Sequence, residues 1–281
     1  MAQLIQMRQR IHAIETIKKI TYAMRLISMS THSQLKNKEK PLTFYTNALN
    51  QLFVAIKDQA STWHNPLMHT TEAIKQKTLV IIVGSQKGLC GNFNTALLKF
   101  FHTAHPSPQT EHNAYIAIGK KMIELLASHD STPLLLSFPE FSTVNITALA
   151  TRLINHIITE QYTQVTIISN RPRSFFLQKP EQFQLVPFTI PPSTTNTPSF
   201  TQYSWEQKPE VLLDIVLHQY IEATIYEVLF QSLVAEQAAR FLSMDGSTRN
   251  ANGLLETAKL QYNKFRQAKI TRELTELTSS M

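Results

Sequence analysis

The stretch of this 281-residue chain that most invites a chemical reading is GSQKGLCGNFN, residues 84–94, which holds three of the six glycines and the single cysteine, Cys90. A glycine-rich turn between a strand and a helix can present backbone N–H groups and a helix N-terminus to a phosphate. The spacing Gly84, Gly88, Gly91 fits neither G-x-G-x-x-G nor G-x-x-x-x-G-K-[ST]. A tight turn built on Gly88, Leu89, Cys90 and Gly91, in which glycine lets two backbones approach, is the simpler expectation. A nucleotide-binding enzyme using Gly84–Asn92 is the alternative. The ten histidines are scattered, and none forms the H-E-x-x-H pair of a zinc protease. His102 and His105 would have to converge on Cys90 to make a nucleophile–base pair or a metal cluster. Ordinary surface or core histidines, and a Cys90 that acts as a small buried apolar group, account for them more simply. One thiol also excludes a disulfide framework or a multi-cysteine metal site. The chain is therefore expected to have no catalytic residues, metal or cofactor of its own.

The elements that would position this turn follow from the prolines. All 13 lie between Pro41 and Pro209. Proline costs a helix interior about 3 kcal/mol and glycine about 1, so the ends read as helices and the middle does not. TLVIIV at 78–83 has the β-branched apolar character of a strand buried on both faces, and it leads through the glycine turn into a helix from Thr95. NAYIAIG with KKMIELLASH, then TPLLLSF with NITALATRLINHIIT, repeat the pattern and lead to QVTIIS at 164–169. Alternation of this kind predicts a mostly parallel, Rossmann-like sheet flanked by helices. After Arg171 come the short strand pieces SFFLQ and FQLVPFTI, then PPSTTNTPSF, a loop returning to the C-terminal segment.

In residues 1–60 Leu4, Met7, Ile11, Ile14, Ile17, Ile20, Met24 and Ile27 recur at steps of three and four, predicting one apolar helical stripe. Pro41 should kink this helix or begin a second one. After Pro209, Leu254, Ala258, Tyr262, Phe265, Ile270, Leu274, Leu277 and Met281 continue such a stripe to the end. Seventy-two residues without proline would span roughly 110 Å as one helix, so the segment must project and pair, or fold back as a bundle at Gly246 and Gly253. Periodicity leaves both open. The domain division expected is 1–60, 75–205 and 210–281. The net charges are +6 for residues 1–60, +3 for 61–205 and −2 for 206–281. Basic residues never run longer than two, which weakens a nucleic-acid or lipid-binding adaptor as a reading. No apolar run approaches a membrane span and no secretory leader is visible.

Three stretches together are specific. IETIKKITYAMRLIS (14–28), GLCGNFN (88–94), and SLVAEQAARFLSMDGSTRNAN (232–252) with LQYNKFRQAKITRELTEL (260–277) closely resemble the gamma subunit of F-type ATP synthases, in order and spacing as well as composition. The resemblance implies an antiparallel coiled coil of the N- and C-terminal helices joined to a central α/β domain. It also implies a non-catalytic rotor subunit of the central stalk, coupling ion flow to ATP synthesis or hydrolysis. The implied partners are the alpha and beta subunits, the epsilon subunit and the ring of c subunits, with no nucleic acid. The chain would be peripheral, held at the cytoplasmic face of a bacterial membrane through the complex alone.

Residue by residue, the resemblance makes Lys18, Lys19, Met24 and Arg25 in IKKITYAMR positions that face the beta subunits. Arg240 in EQAAR, with Arg266, Gln267, Thr271 and Glu273 in RQAKITRE, become positions that meet loops of the hexamer. The family usually has an alanine-rich helix where this chain has Asp245, Gly246 and Arg249, so local weakening of the helix is expected there. Gln86 stands where an acidic residue is common.

Overall fold

A computed structural model describes residues 2–60, 63–68, 77–106, 113–129, 133–189 and 205–279. The loop expected at 191–200 lies outside the described residues. The elements in chain order are α1 (Ala2–Lys57), β1 (Thr78–Val83), α2 (Phe93–Ala104), β2 (Asn113–Ile118), α3 (Lys120–His129), β3 (Leu134–Phe138), α4 (Ile146–Glu160), β4 (Gln164–Ser174), β5 (Leu177–Val186) and α5 (Pro209–Ser279). They divide into two compact units. A sheet unit comprises 32–239, and a two-helix unit comprises 1–31 with 240–281.

In the sheet unit the strand order is β3-β2-β1-β4-β5. β1 pairs in parallel with both β2 and β4, and β2 with β3. TLVIIV is buried on both faces as its composition requires. Leu79, Ile81 and Val83 face one way, into a core with Ile116, Ile118 and Ile167, with Leu149, Leu153 and Ile157 of α4, and with Phe53, Ile56, Leu213, Leu217 and Phe230 of the long helices. Val80 and Ile82 face the other way, toward Leu97 and Phe101 of α2 and Met122 and Leu126 of α3. The strand pieces expected after Arg171 are one antiparallel hairpin. β4 continues to Ser174, the chain turns at Phe175 and Phe176, and β5 returns alongside it. Pro180 is tolerated because β5 is an edge strand.

Pro41 does not start a second helix. α1 runs through it, with the ring turned to solvent. The neighbouring Leu49, Phe53 and Ile56 are buried in the core and offset the lost hydrogen bond. Nor does α5 fold back at Gly246 or Gly253. It is one helix of 71 residues, and the helix-weakening expected of Asp245, Gly246 and Arg249 does not interrupt it.

Candidate functional site: the glycine turn and the two-helix seam

The glycine turn lies at the carboxyl end of β1, beside β4, where crossovers leave the sheet in opposite directions. Open α/β sheets bind nucleotides at such a point. Here its polar groups are committed within the chain. The Ser85 N–H donates to Asn94 Oδ1 (2.9 Å), and Asn94 Nδ2 donates to Ser85 Oγ (2.7 Å). The Lys121 N–H donates to the Ser85 carbonyl (3.0 Å), and Asn170 Nδ2 donates to the Phe93 carbonyl (3.0 Å). Cys90 and Phe93 are buried against Ala235 and Ala239 of α5, two side chains small enough to admit them. The turn is a docking joint for α5.

Leu89 (φ +64°) and Gly91 (φ +61°) both adopt left-handed backbone, and the Leu89 side chain is 59% exposed. A non-glycine residue held there is strained. Gly119 (φ +93°) makes a close approach to backbone, since a Cβ there would stand 2.6 Å from the Gly84 carbonyl oxygen. Sequence reasoning missed Gly119, Asn94 and Asn170. The glycine closing NAYIAIG was a usable signal, because a glycine ending a buried strand marks close backbone approach.

The histidines do not converge on Cys90. α2 separates them, with Cys90 before its first residue and His105 after its last, a rise of about 18 Å. His105 lies against Phe101, and burial holds its pKa below the ordinary value. No group of three or more metal-ligating side chains occurs among the described residues.

The sheet unit also contains a polar cavity of about 340 Å³ between α1, α5 and the hairpin, lined by Thr46, Arg171, Tyr220 and Glu227 among others. Desolvation raises the Glu227 pKa, and Glu39 adds to this, while Arg171 and a hydrogen bond with Thr46 oppose it. Burial, reinforced by Glu227, pushes Tyr220 up to about 12.

In the two-helix unit α1 and α5 run antiparallel. Arg25 Nη1 meets Asp245 Oδ1 at 2.8 Å, and the Thr248 hydroxyl donates to that of Thr21 at 3.0 Å. Lys259 Nζ meets Glu15 Oε1 at 3.1 Å, and Arg8 Nη2 donates to the Tyr262 hydroxyl at 3.2 Å. Glu15 and Met24 are half-buried at the flank of the seam, and the positions along it on α1 are Leu4, Met7, Ile11, Ile14, Lys18, Thr21, Arg25 and Ser28. They alternate three and four residues apart, the 3.5-residue period of a coiled coil. The expected stripe therefore holds as far as Ile14 and again at Met24, which is half-buried. Ile17, Ile20 and Ile27 are 53%, 55% and 58% exposed, and polar residues take their place in the seam. On α5 Met244, Thr248, Ala251, Leu255, Ala258 and Tyr262 are covered, whereas Leu254, Phe265, Ile270, Leu274 and Leu277 are exposed.

The residues expected to meet a partner fall into three groups. Lys19, Arg266, Gln267, Thr271 and Glu273 are exposed. Glu273 pairs with Lys269, and the Thr271 hydroxyl donates to the Gln267 carbonyl. Lys18 and Met24 are half-buried, and so is Arg25, whose guanidinium is engaged by Asp245 and lies over the Tyr22 ring. Arg240 requires a correction. It is 3% exposed, so its side chain is committed inside the chain and does not offer a guanidinium to a partner. Asp245, read from sequence as a weak point, is instead an ion-pair acceptor for Arg25 and Arg249.

An α/β sheet unit whose glycine turn packs against a long helix, and an antiparallel helical pair with exposed apolar side chains, are features of an interaction subunit. The family model described as "ATP synthase" matches residues 3–281. The ATP synthase gamma chain of Buchnera aphidicola subsp. Baizongia pistaciae is 30% identical over 98% of this chain and 96% of its own length. That of Chlorobium chlorochromatii is 26% identical over 99% and 98%. Among solved structures, a chain of the Euglena gracilis mitochondrial ATP synthase, OSCP/F1/c-ring, rotational state 3, superposes with a TM-score of 0.68. It is 15% identical and covers 100% of this chain and 94% of its own. The chain belongs to the ATP synthase gamma-chain family. No helix among the described residues is long and apolar enough to cross a membrane.

Proposed function

We propose that this chain is the rotating central-stalk subunit of a membrane-associated F-type ATP synthase, coupling ion flow through a ring of c subunits to ATP synthesis or hydrolysis in an alpha/beta hexamer. The observation that carries this reading, beyond family membership, is the ribbon of Ile17, Ile20 and Ile27 turned out of the helical pair. Large exposed apolar side chains on a helix mark a surface that another protein covers. The two-helix unit takes the central cavity of the hexamer. Lys19 and Met24 face the beta subunits, with the half-buried Lys18 and Arg25 offering them only their exposed edges, and Arg266, Gln267, Thr271 and Glu273 meet hexamer loops. Because these contacts differ around the helical pair, rotation shifts each catalytic subunit among its conformations in turn. Exposed ion pairs are each worth only about 0–1 kcal/mol, so they form and break as the shaft turns. The sheet unit takes the epsilon subunit and the c ring. The chain supplies no catalytic group and no cofactor, and it is peripheral, at the cytoplasmic face of a bacterial membrane.

The test is purification through an affinity tag on this chain, followed by observation of a bead on the tag during ATP hydrolysis. Alpha and beta should co-purify at about three copies each per chain, the ratio that one shaft in a hexamer of alternating subunits requires, and the bead should rotate in one direction. A stable hexamer with full cooperative ATPase activity that lacks this chain would overturn the reading.

A further inference from the structure

The most concentrated polar contact in the two-helix unit is on its seam. Asp245 accepts from Arg25 across the pair (2.8 Å) and from Arg249 one turn along α5 (3.0 Å), and the Thr21–Thr248 hydroxyl pair lies one turn away. The Arg25 and Asp245 side chains are only 27% and 24% exposed. Arg25 occupies a position that a coiled coil ordinarily fills with Leu, Ile or Val, and Asp245 flanks the seam beside Met244. A polar group there costs stability and specifies register.

Sliding α5 by one turn changes what Arg25 meets. In one direction Thr248 and Arg249 move to the place of Asp245, and two guanidinium groups oppose each other. In the other direction Phe241 arrives opposite Arg25, which loses its carboxylate. The apolar seam opposes the same slide, because it would put Ala251 or Ala258 in the place of Leu255 against the side chains of α1. The geometry points to Asp245 as a register pin. It is a positioning residue that, with Arg25 and Arg249, fixes the axial alignment of the two helices and hence of the side chains each presents outward. The pin resists the sliding of one helix along the other that any twist applied to a two-helix pair produces.

The test uses the full chain and two cysteine pairs. Hydroxyls 3.0 Å apart at Thr21 and Thr248 are close enough for their replacements to form a disulfide. The pair Thr21→Cys with Thr248→Cys therefore reports the native register, and Thr21→Cys with Met244→Cys reports a one-turn shift. Each is oxidised in three backgrounds: unchanged, Asp245→Arg, and the exchange Arg25→Asp with Asp245→Arg and Arg249→Asp. Mass spectrometry of the linked peptides separates both from Cys90. With Asp245→Arg the native cross-link should slow by at least about tenfold relative to the unchanged chain, and the shifted one should gain. The exchange should restore the native rate to within about twofold. Asp245→Asn, which keeps the shape and removes the charge, should fall between. Undiminished native cross-linking with Asp245→Arg would overturn the pin. So would failure of the exchange to restore it, because a residue that acts only through packing gains nothing from reversed charges.

Discussion

Replacing both Gly246 and Gly253 with alanine should stabilise the two-helix unit by about 2 kcal/mol. Each glycine lies inside the continuous α5, where it costs about 0.8–1.0 kcal/mol relative to alanine through backbone entropy. A Cβ added at either position meets nothing within 4 Å, and neither residue has the left-handed backbone that would strain a side chain, so no steric term opposes the gain. The two positions are seven residues, about two helical turns, apart, far enough for the effects to add. The assay is native-state hydrogen exchange of the α5 amides near 244–256, which reads local opening directly. About 1 kcal/mol corresponds to a factor of about 5 in protection, so the double variant should exchange about 25-fold more slowly there. Amides of β1 should be unaffected. Exchange that stays the same or accelerates would refute the reasoning, since it would mean that the methyl groups meet something.

Three further outcomes follow from the same geometry. Gly119→Ala should cost about 3–4 kcal/mol, combining the left-handed backbone with collision against the fixed Gly84 and Ser85 carbonyls. Gly88→Ala, whose nearest neighbour is the flexible Lys121 Cε at 3.8 Å, should stay within about 1 kcal/mol, and urea unfolding monitored by tryptophan fluorescence compares them. Glu227 has a folded-state pKa above its ordinary 4.5, so the native state holds its proton longer than the unfolded state does. Its contribution to stability is therefore most favourable below pH 4.5 and declines as pH rises through the folded value. Arg171, Glu39 and Tyr220 face or influence the same carboxyl, so Glu227→Gln should gain stability relative to the parent between pH 4 and 7, and unchanged relative midpoints would contradict the assignment. Charge reversal at the exposed Arg266 should lower ATP turnover of the assembled complex while shifting the stability of the chain by less than about 0.5 kcal/mol. Unchanged turnover would remove Arg266 from the contact surface.

The sheet unit was legible in the sequence because its signals are local. TLVIIV is too apolar to face water on either side, and each following helix shows its period over ten or more residues. The hairpin was only partly legible, since Phe175 and Phe176 turn the chain without the glycine or asparagine that usually marks a tight turn. The two-helix seam was the hardest part. Ile17, Ile20 and Ile27 carry the right residue type at helical spacing, yet the 3.5-residue period carries the seam past them to Lys18, Thr21 and Arg25. Hydrophobicity cannot separate a face buried within the chain from one reserved for another protein. The Arg25–Asp245 pair could not be found until the antiparallel alignment was known, because its members are 220 residues apart.

The outward ribbon also bears on how the chain is made in a cell. A newly synthesised copy exposes Ile17, Ile20, Leu26 and Ile27 on one helix and Leu260, Ile270, Leu274 and Leu277 on the other, none of which its own fold covers. Chaperones and proteases act on such surfaces. Copies synthesised in excess of their binding partners should be short-lived, so the abundance of this chain would be set by what it assembles with more than by its own rate of translation.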